Sequence, residues 1–587
     1  FLSLELVQYY MTRFLEPEIQ RHDYFNSVTI SRNRLYTQLV DNLNKAALIG
    51  FDHETIGAQL KAAYRGDVEQ EYIYDDAQAC ASLFRELCLE NNLLDFSLQV
   101  RLFVDHMWPK PEVQRHLTQK YRHLIVDNIE EDTPATHDIL QEWLPQCESA
   151  LLVYDSQGGY RRFLGADPVN AQKLKALCDV QVTLTNHRVM SDEMEALQRE
   201  MAISLNKPLE NASQKADARD ALIYTDHTYH PQMIDWVVEN IAALVHEEGV
   251  SPDEIVILAP YLPDALRFSL QTRLDTLGIP HRSHRPSRAL REESASRTLL
   301  TFTKLAHPQW KIHTNKFDVA AALAASISDL DLIRARLLAD VLYRDGKLRP
   351  FENIKNDSMQ QRISFELGNR YDVLVAWLDA YQQESPLPVD IFLSKLFGEV
   401  LSQPGFGFHN RLDNANTAAN LVDSAREFRQ TVSKIEPELD VALEYVQMVD
   451  SGVIGNLYIR DWQDDKQEAV LIAPAYTFLL SNQPVDYQFW VNVGSSGWSQ
   501  RLYQPLTHPY VLSRQWIKGQ VWTDQDEVEA DEQTLYDLTL GLMRRCRKKI
   551  YLGLSQFSEQ GYEQRGSLLM TIQNMLRRLQ REEQQHG

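Results

Sequence analysis

Tyr121-Arg122-His123-Leu124-Ile125-Val126-Asp127-Asn128-Ile129-Glu130-Glu131-Asp132-Thr133 is the stretch whose reading decides the fold. A short apolar run ends on an acid and opens into an acidic loop. The same arrangement returns in Ala150-Leu151-Leu152-Val153-Tyr154-Asp155. Val180-Gln181-Val182-Thr183-Leu184 and Glu254-Ile255-Val256-Ile257-Leu258-Ala259 are further apolar runs flanked by loops. Continuous apolar strands separated by helices predict a parallel sheet covered on both faces. Ligands of such sheets sit beyond the carboxyl ends of the strands, which is where these acids fall. The fold class read from the pattern is α/β.

Further along, residues 300–455 turn mostly helical. Strand patterns return at Glu468-Ala469-Val470-Leu471-Ile472, at Tyr487-Gln488-Phe489-Trp490-Val491-Asn492-Val493 and at Lys549-Ile550-Tyr551-Leu552. An α/β part that is interrupted by a helical insert and then resumed is the simplest parse. At 587 residues the chain exceeds one hydrophobic core, and its 44% hydrophobic content allows several. No run of 18 apolar residues is present, which argues against a membrane span. Cys80, Cys88, Cys147, Cys178 and Cys546 form no CxxC pair, which fits reduced thiols in the cytoplasm and excludes a zinc or iron–sulfur framework. The formal charge of −23 means that any contact with nucleic acid must come from local basic patches.

Three segments carry chemistry. Asp127, at the end of its apolar run, is placed as nucleotide hydrolases place a carboxylate beside Mg²⁺, and a following acid can orient water on the γ-phosphate. The plain alternative is a buried strand with a solvated acidic loop. The second segment, Leu152-Val153-Tyr154-Asp155-Ser156-Gln157-Gly158-Gly159-Tyr160-Arg161-Arg162-Phe163-Leu164-Gly165-Ala166, sets a Gln and Arg on a glycine-flexed loop where backbone can approach a phosphate. A simple turn would read the same way. The third, Thr183-Leu184-Thr185-Asn186-His187-Arg188, offers a strand-end arginine able to act as a finger, or a surface charge.

Taken in order, these segments resemble the UvrD/Rep-type superfamily 1 DNA helicases. Asp155, Gln157, Tyr160, Phe163, Gly165 and Ala166 match the family's Asp-Gln-Ser-x-Tyr-x-Phe-x-Gly-Ala motif, with one residue inserted, and Asn186 and Arg188 match Asn-Tyr-Arg. Leu94-Asp95-Phe96 resembles the tripeptide before Walker B, and Val28-Thr29-Ile30-Ser31 resembles motif Ia. The run Leu540-Gly541-Leu542-Met543-Arg544-Arg545-Cys546-Arg547-Lys548-Lys549-Ile550-Tyr551-Leu552 resembles motif VI, with Arg545 on the second finger position. A solvated basic helix end would also account for it.

The resemblance implies a P-loop NTPase with two RecA-like parallel-sheet domains and a helical insert domain. Residues 1–215 would form domain 1A with a short 1B-type insert near 52–92. Domain 2A would comprise 216–305 and 460–587, flanking a 2B-type insert at 306–459. By resemblance, Asp127 binds Mg²⁺, Gln157 senses the γ-phosphate, and Arg188 and Arg545 stabilise transition-state charge, a role worth about 10³–10⁵ in rate. Thr29, Ser31, Tyr160 and Arg161 would contact DNA. The implied cofactors are ATP and Mg²⁺. The implied substrate is single-stranded DNA, or DNA with a single-stranded tail, traversed 3′ to 5′ in repair or recombination by a cytoplasmic protein with no membrane contact.

The sequence also departs from the family. The Walker A loop is absent while Phe1 to Met11 resembles the helix that follows it, which implies truncation just after that loop. Asn128 stands where the catalytic Glu is expected, so Glu130 or Glu131 would have to serve as the base. Motif V is eroded to Ala473-Pro474-Ala475-Tyr476 and Gln483-Pro484-Val485-Asp486, leaving Asp486 to stand for the ribose-binding Glu. These departures favour an alternative, a helicase-like scaffold subunit of a DNA end-processing complex of the AddB-like or RecC-like kind, with a nuclease or repair partner.

Overall fold

The computed structural model describes residues 1–66, 68–184, 189–209, 216–284, 290–453 and 468–586. Ten strands are numbered in chain order. β1 (His123–Val126) and β2 (Ser149–Leu152) form one parallel pair, and β6 (Tyr343–Arg344) and β7 (Lys347–Leu348) a small hairpin. The main sheet contains β3 (Leu222–His227), β4 (Ile255–Ala259), β5 (His281–Ser283), β8 (Val470–Pro474), β9 (Val485–Trp490) and β10 (Cys546–Ser555). These six strands run parallel in the order β3-β10-β9-β4-β8-β5.

Every side chain of β4 is buried, and strand alternation shares the run between two layers. Val256 and Leu258 pack with Leu471, Ala473, Trp490 and Leu552, beneath the helices Asp192–Ser204, Asp524–Met543 and Ser567–His586. Ile255, Ile257 and Ala259 join Val470, Ile472 and Phe489 on the other face, beneath His230–Ala242 and Asp264–Thr276. A sheet covered on both sides has no use for polar positions, and that is why these strands read as uninterrupted apolar runs.

The β1–β2 unit is smaller than the sequence pattern predicts. Leu124 lies opposite Ala150 and Val126 opposite Leu152, in a sheet of two strands. The expected strand Val180–Leu184 pairs with no strand among the described residues, and Val180, Val182 and Leu184 are 79%, 77% and 88% exposed. Val28–Ser31 likewise belongs to no strand among the described residues. Ser31 instead caps the helix Arg32–Ile49, its hydroxyl accepting the Arg34 N–H at 3.5 Å. Apolar alternation becomes a strand only where a neighbouring backbone supplies the ladder, and neither segment has one among the described residues.

Residues 294–453 are helical apart from the β6–β7 hairpin. Their apolar core is continuous with that of the first hundred residues: Tyr9, Leu15, Leu39 and Phe84 pack in one cluster with Leu299, Leu338, Phe392 and Phe428. The Tyr9 and Phe428 rings meet edge-on at 4.7 Å, and Arg13 pairs with Glu436 and Glu444. The helices Ile56–Ala63 and Val68–Glu90, expected as a 1B-type insert, contribute to this same core. Asp95 is buried, caps Phe96–Leu102 and pairs with Arg85 at 2.8 Å. No described helix is long and apolar enough to cross a membrane.

Candidate functional site

The loops that follow β1 and β2 lie side by side at the carboxyl end of that pair, joined by Val153 N–H to Val126 O at 2.9 Å and Ile129 N–H to Val153 O at 3.1 Å. Asp127, the first residue past β1, is exposed. Among the described residues its carboxylate accepts one hydrogen bond, from the Asn128 N–H at 3.0 Å. Asn128 takes the left-handed conformation (φ 54, ψ 48), which asparagine tolerates better than most residues.

Glu130 and Glu131 hold the second loop. Glu130, 2% exposed, accepts the Asp155 N–H at 3.0 Å, and a Cβ on Gly158 would come within 2.8 Å of its Oε1. Burial raises its pKa above the ordinary carboxylate range, against the opposing pull of the backbone N–H groups. Glu131 accepts three successive amides, from Gly159 at 3.0 Å, Tyr160 at 2.8 Å and Arg161 at 2.9 Å. Three converging N–H groups form an anion cradle, and here the chain's own carboxylate fills it. The two acids expected to stand in for Asn128 as the base are thus engaged with the second loop, Glu130 from a buried position and Glu131 from a partly exposed one. A base must reach water, whereas Glu130 is buried and both oxygens of Glu131 are engaged.

Opposite this loop, the helix Asp524–Met543 ends and β10 begins. Arg544 Nη1 donates to the Gln157 carbonyl at 3.1 Å and to the Tyr160 hydroxyl at 3.3 Å, across 387 positions of sequence in the first case. The Arg545 guanidinium lies 5.5 Å from the centre of the Tyr160 ring and donates to Gly541 O and Asn482 Oδ1, each at 2.9 Å. Gly541 leaves room for this approach, since a Cβ there would sit 3.0 Å from the Tyr160 ring and 2.6 Å from Leu479 Cδ1. Arg162 reaches Asp537 at 3.9 Å, and burial raises the pKa of Asp537 while Arg162 opposes the shift.

Among the described residues, Arg162 Nε, Arg544 Nη2 and Arg545 Nε are buried with no hydrogen-bond partner. Leaving a buried donor unsatisfied costs about 1–3 kcal/mol, and more for a charged group.

The structure thus brings Gln157 and Tyr160 to Arg544 and Arg545. The Gln157 contact is made by its carbonyl, while its side chain is exposed. Arg188, with Asn186, lies outside the described residues. Asp486 is not free for a ribose: it sits in β9, paired with Arg547 at 3.0 Å and Lys548 at 2.7 Å. Tyr160, expected to face DNA, is half-buried against the two arginines, and Arg161 keeps an exposed side chain above a backbone held by Glu131. Thr29 and Ser31 are exposed ahead of the helix Arg32–Ile49.

Two features escaped the sequence reading. One is Arg544, masked by its neighbour in the same basic run. The other is the irregular segment 499–523, which straps the two halves together. Tyr503 O accepts from Arg34 at 2.9 Å, Leu506 bonds Gln38 and Asn42, and Arg514 donates to Ile49 O and Asp138, each at 2.7 Å. Gln515 donates to Asp167 at 3.1 Å, and the Trp522 N–H to Ala63 O at 2.8 Å. Its aromatic content (Tyr510, Trp516, Trp522) without helical period was the available signal.

No model of a known protein family matches the chain, and no characterised protein matches it either.

Proposed function

We propose that the chain is the body of a UvrD/Rep-type superfamily 1 helicase, a P-loop NTPase with two RecA-like units. It would bind ATP and Mg²⁺ between the β1–β2 unit and the six-stranded sheet and act on single-stranded DNA. The observation that carries this reading is the meeting of Gln157 and Tyr160 with Arg544 and Arg545. Two loops with no shared local structure converge there, with three buried guanidinium nitrogens left over. Asp127 would hold Mg²⁺, and Arg544, Arg545 and Arg162 would face the phosphates. ATP supplies a phosphoanhydride whose cleavage releases the energy for movement. Glu130 and Glu131, by gripping residues 155–161, tie the metal-side loop to the loop that the arginines touch.

A second reading is supported by Asn128 and by the strap. With no acid at position 128 hydrolysis should be slow, and a strap anchored at Ile49, Ala63, Asp138 and Asp167 opposes opening of the halves. Both suit a helicase-shaped scaffold in a DNA end-processing complex. The deciding experiment measures ATP hydrolysis by the full-length protein with and without single-stranded DNA, for wild type and Asn128→Glu. The helicase reading expects slow DNA-stimulated turnover that Asn128→Glu accelerates. Hydrolysis and ATP binding absent from both proteins would leave the scaffold.

A further inference from the structure

The helical region carries a second site, remote in sequence from the cleft. The helix Lys316–Ser326, capped by Asn315, and the β6–β7 hairpin border an open pocket of about 620 Å³. Thr314, Lys316, Phe317, Arg336, Tyr343 and Arg344 line it. Lys316, Arg336 and Arg344 bring three cations to it, against Asp345 in the lining and Asp340 beside Lys316 and Arg336.

The pocket's polar groups are incompletely used. Lys316 and Arg336 share a single carboxylate, Asp340, at 4.0 and 2.9 Å. Arg344 donates to its neighbour's carbonyl, Tyr343 O, at 3.4 Å, and the Asp345 carboxylate turns to Arg349 at 3.2 Å. Thr314 is 4% exposed, and among the described residues its hydroxyl has no hydrogen-bond partner; Arg336 Nη1 is likewise buried and unpartnered there. Tyr343 donates its hydroxyl to the Thr314 backbone carbonyl at 2.8 Å. Phe317 is 71% exposed and carries the Arg336 guanidinium 4.0 Å from its ring centre. A large exposed ring beside cationic side chains has the chemistry of a site for a phosphate next to a planar base.

We propose that this pocket holds a phosphodiester of a single-stranded nucleic acid, with the adjoining base stacked on Phe317. Arg336, Arg344, Lys316 and the Thr314 hydroxyl face the phosphate. The strand is single because the base must be unpaired to reach a side-chain ring. The assignment rests on the proposed action on single-stranded DNA and adds a contact point on the helical region.

The test is fluorescence anisotropy of a labelled oligothymidylate with the full-length protein across a salt series. The proteins compared are wild type, Arg344→Ala, Thr314→Val, Phe317→Ala and, as a control on an exposed surface elsewhere, Lys110→Ala. Arg344→Ala should weaken binding and flatten the slope of log affinity against log salt by about 0.7, because one phosphate is no longer neutralised. Phe317→Ala should weaken binding about 5-fold or more while leaving that slope unchanged. Thr314→Val should weaken binding, and ATP hydrolysis without DNA should be unchanged in all variants. Wild-type binding that none of the three pocket variants alters overturns the pocket and leaves the helicase reading standing. A wild-type protein with no affinity for the oligonucleotide overturns both. Equal displacement by inorganic phosphate or a mononucleotide, or a preference for duplex that these variants abolish, overturns the single-strand assignment.

Discussion

Replacing Glu131 with Gln tests how the two loops of the cleft are joined. In the folded protein its carboxylate accepts three N–H groups within 3.0 Å, from Gly159, Tyr160 and Arg161. A glutamine keeps one acceptor oxygen and turns an NH₂ group toward the remaining donor, so one hydrogen bond is lost and two become neutral. Hydrogen bonds to charged groups contribute about 1.5–3 kcal/mol each, and Glu131 is partly exposed, so a local loss of about 1.5–3 kcal/mol is expected. At about 1.4 kcal/mol per decade, that raises the opening constant of residues 155–161 roughly 10- to 150-fold. Hydrogen exchange followed by mass spectrometry reads this directly on peptides spanning 155–162, with the helix His230–Ala242 as an unaffected reference. Exchange of that loop within 3-fold of wild type would refute the idea that Glu131 organises it.

Other expectations follow from the same contacts. Arg544→Ala removes the bonds to Gln157 O and Tyr160 Oη and should weaken ATP–Mg²⁺ binding about 10-fold or more, measured by calorimetry. Arg514→Ala releases the strap from Ile49 and Asp138, costing about 1–2 kcal/mol and speeding exchange across 499–523 with little change in the six-stranded sheet. Glu5 has its pKa raised from 4.5 to about 6, mainly by burial and against a hydrogen bond from Ser424. Its raised folded value favours the protonated fold, so its cost is absent below pH 4.5 and complete above pH 6. Glu5→Gln should then stabilise the helical region by about 2 kcal/mol at pH 8 and leave it unchanged at pH 4, as read by urea denaturation at each pH.

Much of the main sheet was legible in the sequence because its strands are buried on both faces. Glu254–Ala259, Glu468–Ile472, Tyr487–Val493 and Lys549–Leu552 each announce a strand whose ends lie within three residues of those expected. Val180–Leu184 carries an equally good pattern and is no strand, since pairing depends on a neighbour that periodicity cannot reveal. The packing of Leu4–His22 on Leu412–Ile435 was likewise invisible: Tyr9 meets Phe428 across more than 400 positions, and amphipathicity marks a buried face without naming what covers it. In the site, the ordered motifs pointed to Gln157, Tyr160 and the basic run at 544–549. They did not tell Arg544 from Arg545, because adjacent residues at a helix-to-strand junction point in different directions. The acids at 130 and 131 looked catalytic by type; their hydrogen bonds to backbone amides can be seen only in three dimensions.

The central claim is that the loop 155–161 and the pair Arg544–Arg545 are two sides of one nucleotide site. Hydrogen exchange of the full-length protein, with and without a non-hydrolysable ATP analogue and Mg²⁺, tests it most directly. Peptides covering 127–131, 155–162 and 541–547 should become protected together, and Asp127→Asn and Arg545→Ala should each abolish that protection. Saturating analogue that leaves all three segments at their unliganded exchange rates would contradict it.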